Sequence, residues 1–328
     1  MPRDWQALYA SNRSAIRAAR LPDPGLAAPG APSGAPQPDR GLAVHVPAGL
    51  PAGVAVPLVC MLHGCSQDAA GFAAATRMNT LADRHGFVVV HPQQERGANQ
   101  QGCWNWFDRA HQVRGRGEPA RIAAIVGELA ARGSRCRIDR RRIFVAGLSA
   151  GGAMAAVLAA TYPDLFAAVA VHSGLPYGAA GSVPAAFEAM RRGAGDGVAD
   201  GRAAHSAMGR HARVVPSLVI HGSADRTVAP VNAAGLLSQA MGANRLASPA
   251  LRELDPSRPS SSSQGVAAGG LAYTEAEWTG PEGELLHGSL IVEGLGHAWS
   301  GGAPGGSFTD PRGPDASAAI WRFFDRVA

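Results

Sequence analysis

The chain has 328 residues, 46% of them hydrophobic and 17% charged, a balance that allows a large core and excludes a disordered polymer. Its net charge is +5 and its pI near 9.5, yet apart from histidine every basic side chain is arginine, which excludes a P-loop lysine, a Schiff base and a Ser-Lys dyad. No apolar run reaches the length of a membrane span, and the one arginine cluster, Arg137, Arg140, Arg141 and Arg142, lacks interleaved aromatics and reads as a solvated loop, so no nucleic-acid partner is expected.

The N-terminus, Met1-Pro2-Arg3-Asp4-Trp5, shows no long apolar core followed by a small-residue cleavage site, so no secretory signal is visible in this chain. Residues 4–20 place Trp5, Leu8, Tyr9 and Ile16 near helical spacing and predict an amphipathic helix. The Pro/Gly/Ala-rich stretch 21–38 predicts a linker or surface strap, so that residues 1–40 precede a catalytic domain over 41–328.

From there strands and helices alternate. Strands are predicted over 42–46 and 54–62, a helix over 69–85, a strand over 86–91, and then a long loop through Cys103-Trp104-Asn105-Trp106-Phe107 to a helix over 118–132. A strand over 143–147, a helix over 150–162 ended by Pro163, strands over 167–172 and 217–221 and a helix over 231–241 follow. Such β-α alternation predicts a mostly parallel sheet covered by helices on both faces. Residues 244–287 break the rhythm, with strands predicted over 249–254, 271–278 and 285–293, the last two joined over Gly280-Pro281-Glu282-Gly283, and a mobile polar excursion over 260–263. A closing helix over 314–327 gathers Ile320, Phe323, Phe324 and Val327 on one face and should dock on the sheet.

The chemistry centres on Gly147-Leu148-Ser149-Ala150-Gly151, a G-x-S-x-G pattern between the apolar strand and the Ala-rich helix. A serine on a sharp strand-to-helix turn adopts strained backbone angles, so its neighbours must lack bulk, and the helix N-terminus beneath it offers free N–H groups to a developing negative charge. Glycine makes up 42 residues, so the bare pattern is weak by itself, and its weight comes from the strand before and the helix after it.

A serine nucleophile needs a base and the base an orienting carboxylate, here in the order Ser, then Asp or Glu, then His. Asp225 follows the apolar strand ending His221-Gly222, and His297 follows another in Gly294-Leu295-Gly296-His297, so both are candidates for the sheet edge that carries Ser149. His172 and His221 also end apolar strands and read as structural or pocket-lining. The oxyanion donors should be the N–H of Ala150 and, from His63-Gly64-Cys65, the N–H of Cys65. Cys65 and Cys103 lie in loops expected to converge there, which leaves a disulfide between them open, whereas Cys60 reads as a buried thiol. Trp299 and Trp104 are the candidates for an apolar substrate wall, with no metal or other cofactor required.

Taken together, Met61-Leu62-His63-Gly64-Cys65-Ser66-Gln67, Cys103-Trp104-Asn105-Trp106-Phe107, Gly147-Leu148-Ser149-Ala150-Gly151-Gly152-Ala153-Met154 and Gly294-Leu295-Gly296-His297-Ala298-Trp299-Ser300-Gly301-Gly302 resemble the short-chain poly(3-hydroxybutyrate) depolymerase and esterase family of the α/β-hydrolase superfamily. The resemblance, spanning about residues 41–328, implies the α/β-hydrolase fold, the triad Ser149, Asp225 and His297, a Cys65–Cys103 disulfide, and an extracellular or periplasmic location, with a cytoplasmic one as the alternative. It also implies hydrolysis of poly- or oligo(3-hydroxybutyrate) esters, against which stand feruloyl or acetyl esters of carbohydrate and, from another class, a non-catalytic binding protein on the same scaffold. Oligomeric state is left open.

Overall fold

The structure is a computed structural model that describes residues 42–50, 53–132, 136–195 and 201–328. The predicted helix over 4–20 and linker over 21–38 lie outside the described residues. In chain order the elements are β1 (Leu42–His45), β2 (Ala55–Leu62), α1 (Ala69–Thr76), α2 (Met78–His85), β3 (Val88–Pro92), α3 (Gly117–Arg132), β4 (Arg137–Leu148), α4 (Ala150–Thr161), β5 (Ala168–His172), α5 (Val183–Arg192), α6 (Arg202–Met208), β6 (Ser217–Gly222), α7 (Val231–Ala247), β7 (Ser261–Val266), β8 (Ala272–Thr279), β9 (Leu285–Val292), β10 (Trp299–Ser300), β11 (Thr309–Asp310) and α8 (Ala316–Arg326). Among the described residues no helix is long and apolar enough to cross a membrane.

The strands from β1 to β9 make one sheet in the order β1-β3-β2-β4-β5-β6-β9-β8-β7, while β10 and β11 pair separately. The central run from β3 through β2, β4, β5 and β6 to β9 is parallel, and β1 at one edge and β8 and β7 at the other are antiparallel. Successive side chains of a strand point to opposite faces, so the continuous apolar strands feed two cores. Leu58, Cys60 and Leu62 of β2 join Ile143 and Val145 of β4 under α3 and α4 on one face. Val59 and Met61 join Phe144 and Ala146 under α2 and α8 on the other. There Phe324 stacks on Phe144 with ring centroids 4.5 Å apart, and Trp321 stacks on Phe87 at 4.0 Å.

Several elements differ from the sequence expectation. The helix predicted over 69–85 is two helices, because Arg77 takes a left-handed φ of 56° and its N–H closes on the Ala73 carbonyl. The arginines 137–142 are strand rather than loop: β4 starts at Arg137, pairs with Ala55 and Val56 of β2, buries Ile138 and leaves Arg137, Arg140 and Arg141 exposed, as a half-covered strand does. The predicted strand over 249–254 is instead a short 3-10 turn, Pro249–Leu251, that follows an α7 continuing to Ala247. Residues 261–266 are not a loose excursion but the edge strand β7, whose exposed side chains contribute little and whose hydrogen-bonding ladder comes from β8.

Five buried histidines are held in the neutral form. Burial pushes His91, His172 and His287 down to about 3, and also lowers His63 and His221 from 6.5. His287 shows the arrangement: Asn244 Nδ2 donates to Nε2 at 3.1 Å, which leaves Nδ1–H to donate to Ser217 Oγ at 2.8 Å.

Two outcomes follow from this packing. Phe324→Ala removes a fully buried stacked ring and should cost about 3–5 kcal/mol, read as a lower denaturant midpoint with an unchanged slope. The unfolded chain protonates its histidines near 6.5 while these folded ones stay neutral, so the unfolded state binds more protons and stability falls as pH drops below 6.5. The urea midpoint should be lower near about pH 5 than near neutrality; a midpoint that is flat or rises on acidification contradicts neutral buried imidazoles.

Candidate active site

At the junction of β4 and α4, Ser149 sits at φ 57° and ψ −119°, angles that non-glycine residues rarely take and that cost on the order of 1–3 kcal/mol. Its N–H donates to the His172 carbonyl of β5 at 2.9 Å, and its carbonyl starts the helix by accepting from Ala153 at 2.9 Å. Glycine is required beside it by close approach: a Cβ on Gly151 would lie 2.1 Å from the Leu62 carbonyl oxygen, and one on Gly147 2.4 Å from the Gly151 carbonyl. The ends of β2 and β4 and the first turn of α4 therefore meet in backbone contact, with Ser149 at the apex.

Asp225 follows β6 and His297 follows β9, the two neighbouring parallel strands beyond β5. His297 Nδ1 is 2.7 Å from Asp225 Oδ2, and Nε2 is 2.9 Å from Ser149 Oγ. A carboxylate only accepts, so Nδ1 carries the hydrogen and Nε2 is the bare nitrogen to which the Ser149 hydroxyl donates. The other Asp225 oxygen accepts the N–H groups of Thr227 and Val228, both at 2.9 Å. Burial alone would raise the Asp225 carboxyl, but the His297 hydrogen bond and charge, the Val228 N–H and His221 outweigh it and hold it below the ordinary carboxylate range. His221 acts as a support: its Nε2–H donates to the Val228 carbonyl at 2.9 Å, bracing the turn that feeds Asp225. The arrangement can take a proton from Ser149 onto an imidazole whose cationic form a fixed carboxylate stabilises.

On the other side of Ser149, Gly64 lies so close that a Cβ there would stand 3.5 Å from Ser149 Cβ. Its loop is tied by the Cys65–Cys103 disulfide and by Ser66 N–H donating to the Gln101 carbonyl at 2.8 Å. Gly64 N–H is taken by Gln67 Oε1 at 2.9 Å, whereas the N–H of Cys65 meets no protein acceptor among the described residues. Ala150, the first residue of α4, has its N–H free of the helix ladder. Among the described residues no three or more His, Cys, Asp or Glu side chains gather as metal ligands would.

The aromatic wall expected from the sequence is corrected. Trp104 and Trp299 are 0% and 1% exposed, because each indole N–H finds an internal partner and the ring follows it inward. Trp104 Nε1 donates to the His63 carbonyl at 3.0 Å, and Trp299 Nε1 to Ser317 Oγ at 3.2 Å, with its ring stacked on His172 at 5.1 Å. The aromatic ring that does stand beside the imidazole is Phe308, 6.4 Å from His297 and half-buried, at a left-handed φ of 52°. Its loop is tied across to the Gly64 side by Gln67 Nε2, which donates to the Ser307 carbonyl at 2.8 Å. Phe308 carried no chemical signal in the sequence, since it sits in a Gly-rich run, and Gln67 entered only as the end of the Met61–Gln67 stretch that carries the family resemblance.

With this geometry, the profile of the esterase PHB depolymerase family matches residues 41–252. The chain belongs to that family. It is 43% identical over 190 residues to poly(3-hydroxyalkanoate) depolymerase C of Paucimonas lemoignei, covering 57% of this chain and 44% of that one. It is 35% identical over 132 residues to feruloyl esterase B of Neurospora crassa, covering 39% and 43%. The chain thus spans less than half the length of these relatives. Among solved structures, the acetyl xylan esterase from Aspergillus awamori superposes with a TM-score of 0.67 at 24% identity, covering 87% of this chain and 93% of that one, a likeness of fold. This family member therefore has the α/β-hydrolase fold, with the mostly parallel sheet that the alternation of elements predicts.

The elbow makes two glycine substitutions of identical chemistry differ in sign. Gly151→Ala drives a methyl into the Leu62 carbonyl and should destabilise by about 1–3 kcal/mol. Gly127→Ala, in α3 with open space around it, should stabilise by up to about 1 kcal/mol. Thermal melts of the two variants beside wild type measure this, and equal shifts would contradict the contact.

Proposed function

We propose that Ser149, His297 and Asp225 act as a catalytic triad and that the chain is a carboxylic-ester hydrolase acting on poly- or oligo(3-hydroxybutyrate) through an acyl-enzyme. The observation that carries the reading is the His297 imidazole bridging Asp225 at 2.7 Å and Ser149 at 2.9 Å, on a chain of the esterase PHB depolymerase family. His297 Nε2 takes the hydroxyl proton as Ser149 Oγ attacks the ester carbonyl, and the N–H groups of Cys65 and Ala150 receive the negative oxygen. The imidazolium returns its proton to the departing alcohol. Water then attacks the acyl-enzyme with the same groups, releasing the acid and free serine. Residues 41–328 form the catalytic domain in this reading.

A second reading has feruloyl or acetyl esters of carbohydrate as substrate, favoured by the similarity to feruloyl esterase B and by the fold shared with an acetyl xylan esterase. For location, the Cys65–Cys103 disulfide favours an oxidising, extracellular or periplasmic compartment.

A fluorophosphonate probe should label Ser149 in the folded protein, and Ser149→Ala should abolish labelling and lower turnover of p-nitrophenyl butyrate on the order of a million-fold. Turnover that survives this substitution would show that another residue is the nucleophile. Asp225→Asn should lower kcat on the order of 10⁴-fold by spoiling the imidazole tautomer. Product analysis should show hydroxybutyrate trimer cleaved in preference to methyl ferulate, and the reverse preference selects the second reading.

A further inference from the structure

We propose that Phe308 is a specificity-determining residue on the alcohol side of the ester bond: its ring packs against the alkyl branch on the alcohol carbon and so favours esters of apolar secondary alcohols. This role rests on the reading above, in which His297 returns a proton to the departing alcohol.

The backbone at position 308 asks for a different residue. Its φ of 52° is left-handed, an angle that glycine or asparagine takes with little strain and that a bulky side chain resists. Gly301, Gly302, Gly305 and Gly306 stand close by, yet position 308 carries an aromatic ring. Hydrogen bonds hold the peptides on both sides of it. The Ser307 carbonyl accepts from Gln67 Nε2 at 2.8 Å, and the Phe308 carbonyl accepts the Trp299 N–H at 2.7 Å. With two planar peptides fixed, the direction in which the ring leaves the chain is fixed as well.

Gln67 also settles which side of the imidazole the loop approaches. Its Oε1 accepts the Gly64 N–H at 2.9 Å, so one side-chain amide separates the Ser307 peptide from Gly64. Gly64 in turn lies against Ser149, a Cβ there standing 3.5 Å from Ser149 Cβ. The loop therefore meets His297 from the serine side, where Nε2 points, while Asp225 holds Nδ1 on the other. The ring centroid of Phe308 is 6.4 Å from that of His297 at an interplanar angle of 77°. Phe308 is half-buried: part of it packs on the core beneath α2 and α8, and the rest is open to a bound molecule.

The chemistry assigns that place to the alcohol. The acyl carbon is held at Ser149 Oγ, whereas the alcohol oxygen must come within hydrogen-bond reach of His297 Nε2 to receive its proton. The carbon bonded to that oxygen is one bond further on, within contact of a ring beside the imidazole. An apolar ring stabilises an alkyl branch there by removing it from water, and it makes no hydrogen bond to the hydroxyls of a sugar. In a 3-hydroxybutyrate ester this carbon bears a methyl group.

Two pairs of esters separate the alcohol side from the acyl side. Ethyl and isopropyl butyrate differ by one methyl on the alcohol carbon, and ethyl acetate and ethyl butyrate differ only in the acyl group. The readout is kcat/KM for each. Phe308→Gly removes the ring and suits the left-handed φ, and Phe308→Asn suits the same φ with a polar side chain, so that either can stand in if the other fails to fold. Both should lower the isopropyl-to-ethyl ratio about fivefold relative to wild type, less than a methyl is worth in a closed pocket because the wall is one-sided. The butyrate-to-acetate ratio should stay within about twofold of wild type in both. Phe308→Leu keeps apolar bulk and should hold both ratios within about twofold. An unchanged isopropyl-to-ethyl ratio in the glycine or asparagine variant, an equal change in the acyl ratio, or a loss in the leucine variant as large as in the glycine one overturns the proposal. An active wild type with unmoved ratios sinks this inference alone, whereas a wild type inert toward all three esters and unlabelled by a fluorophosphonate sinks the hydrolase reading beneath it.

Discussion

Backbone contact at the elbow is the constraint on which the site depends. The Leu62 and His63 carbonyls at the end of β2 touch Gly151, and Gly147 at the end of β4 touches Gly151 in turn. No side chain fits between them, so the chain must turn within one residue, and Ser149 is left at a left-handed φ with its hydroxyl outward. The strain is sustained because β4 is hydrogen-bonded to β2 on one side and β5 on the other, and because α4 is buried along almost its whole length. Strain of this kind gathers at the same edge of the sheet, beyond the C-terminal ends of its parallel strands. Ser66, Ser149 and Ser173 all take positive φ just beyond the ends of β2, β4 and β5, and Phe308 does so in the loop that faces His297.

Around that apex the polar groups are satisfied in a way that fixes proton positions. A carboxylate decides which nitrogen of His297 is protonated, and a carbonyl and an amide decide it for His63. Burial then keeps the structural imidazoles neutral, so that they serve as directional donors and acceptors rather than as charges. The disulfide and the Gln67 amide tie the loop after β2 to the Cys103 loop and to the Ser307 loop, so both sides of the serine are held by links that cross the sheet edge.

Much of this is legible in the sequence. Apolar strands alternating with helices made the parallel sheet readable, and Ser149, Asp225 and His297 were readable because each follows such a strand in a Gly-rich turn. The aromatic residues were misread for a definite reason. Nearness of Trp299 to His297 in sequence says where its backbone is, but an indole turns toward whichever acceptor it meets, and Ser317 comes from α8, far along the chain. Likewise Arg137–Arg142 and Ser261–Val266 look like loops because their side chains are polar, while the strand partners that order them lie elsewhere in the sequence.

The sequence by itself determined the order of elements, the turn at Ser149 and the residue types available for chemistry, because these depend on local periodicity and on the steric allowance of glycine. Only the tertiary structure decided that one imidazole bridges a carboxylate and a hydroxyl 76 residues apart in numbering, that His63 grips the Gly64 carbonyl, and that Phe308 rather than either tryptophan faces the imidazole. Those outcomes hang on hydrogen-bond directions and side-chain orientations set by distant partners, and no local pattern encodes them.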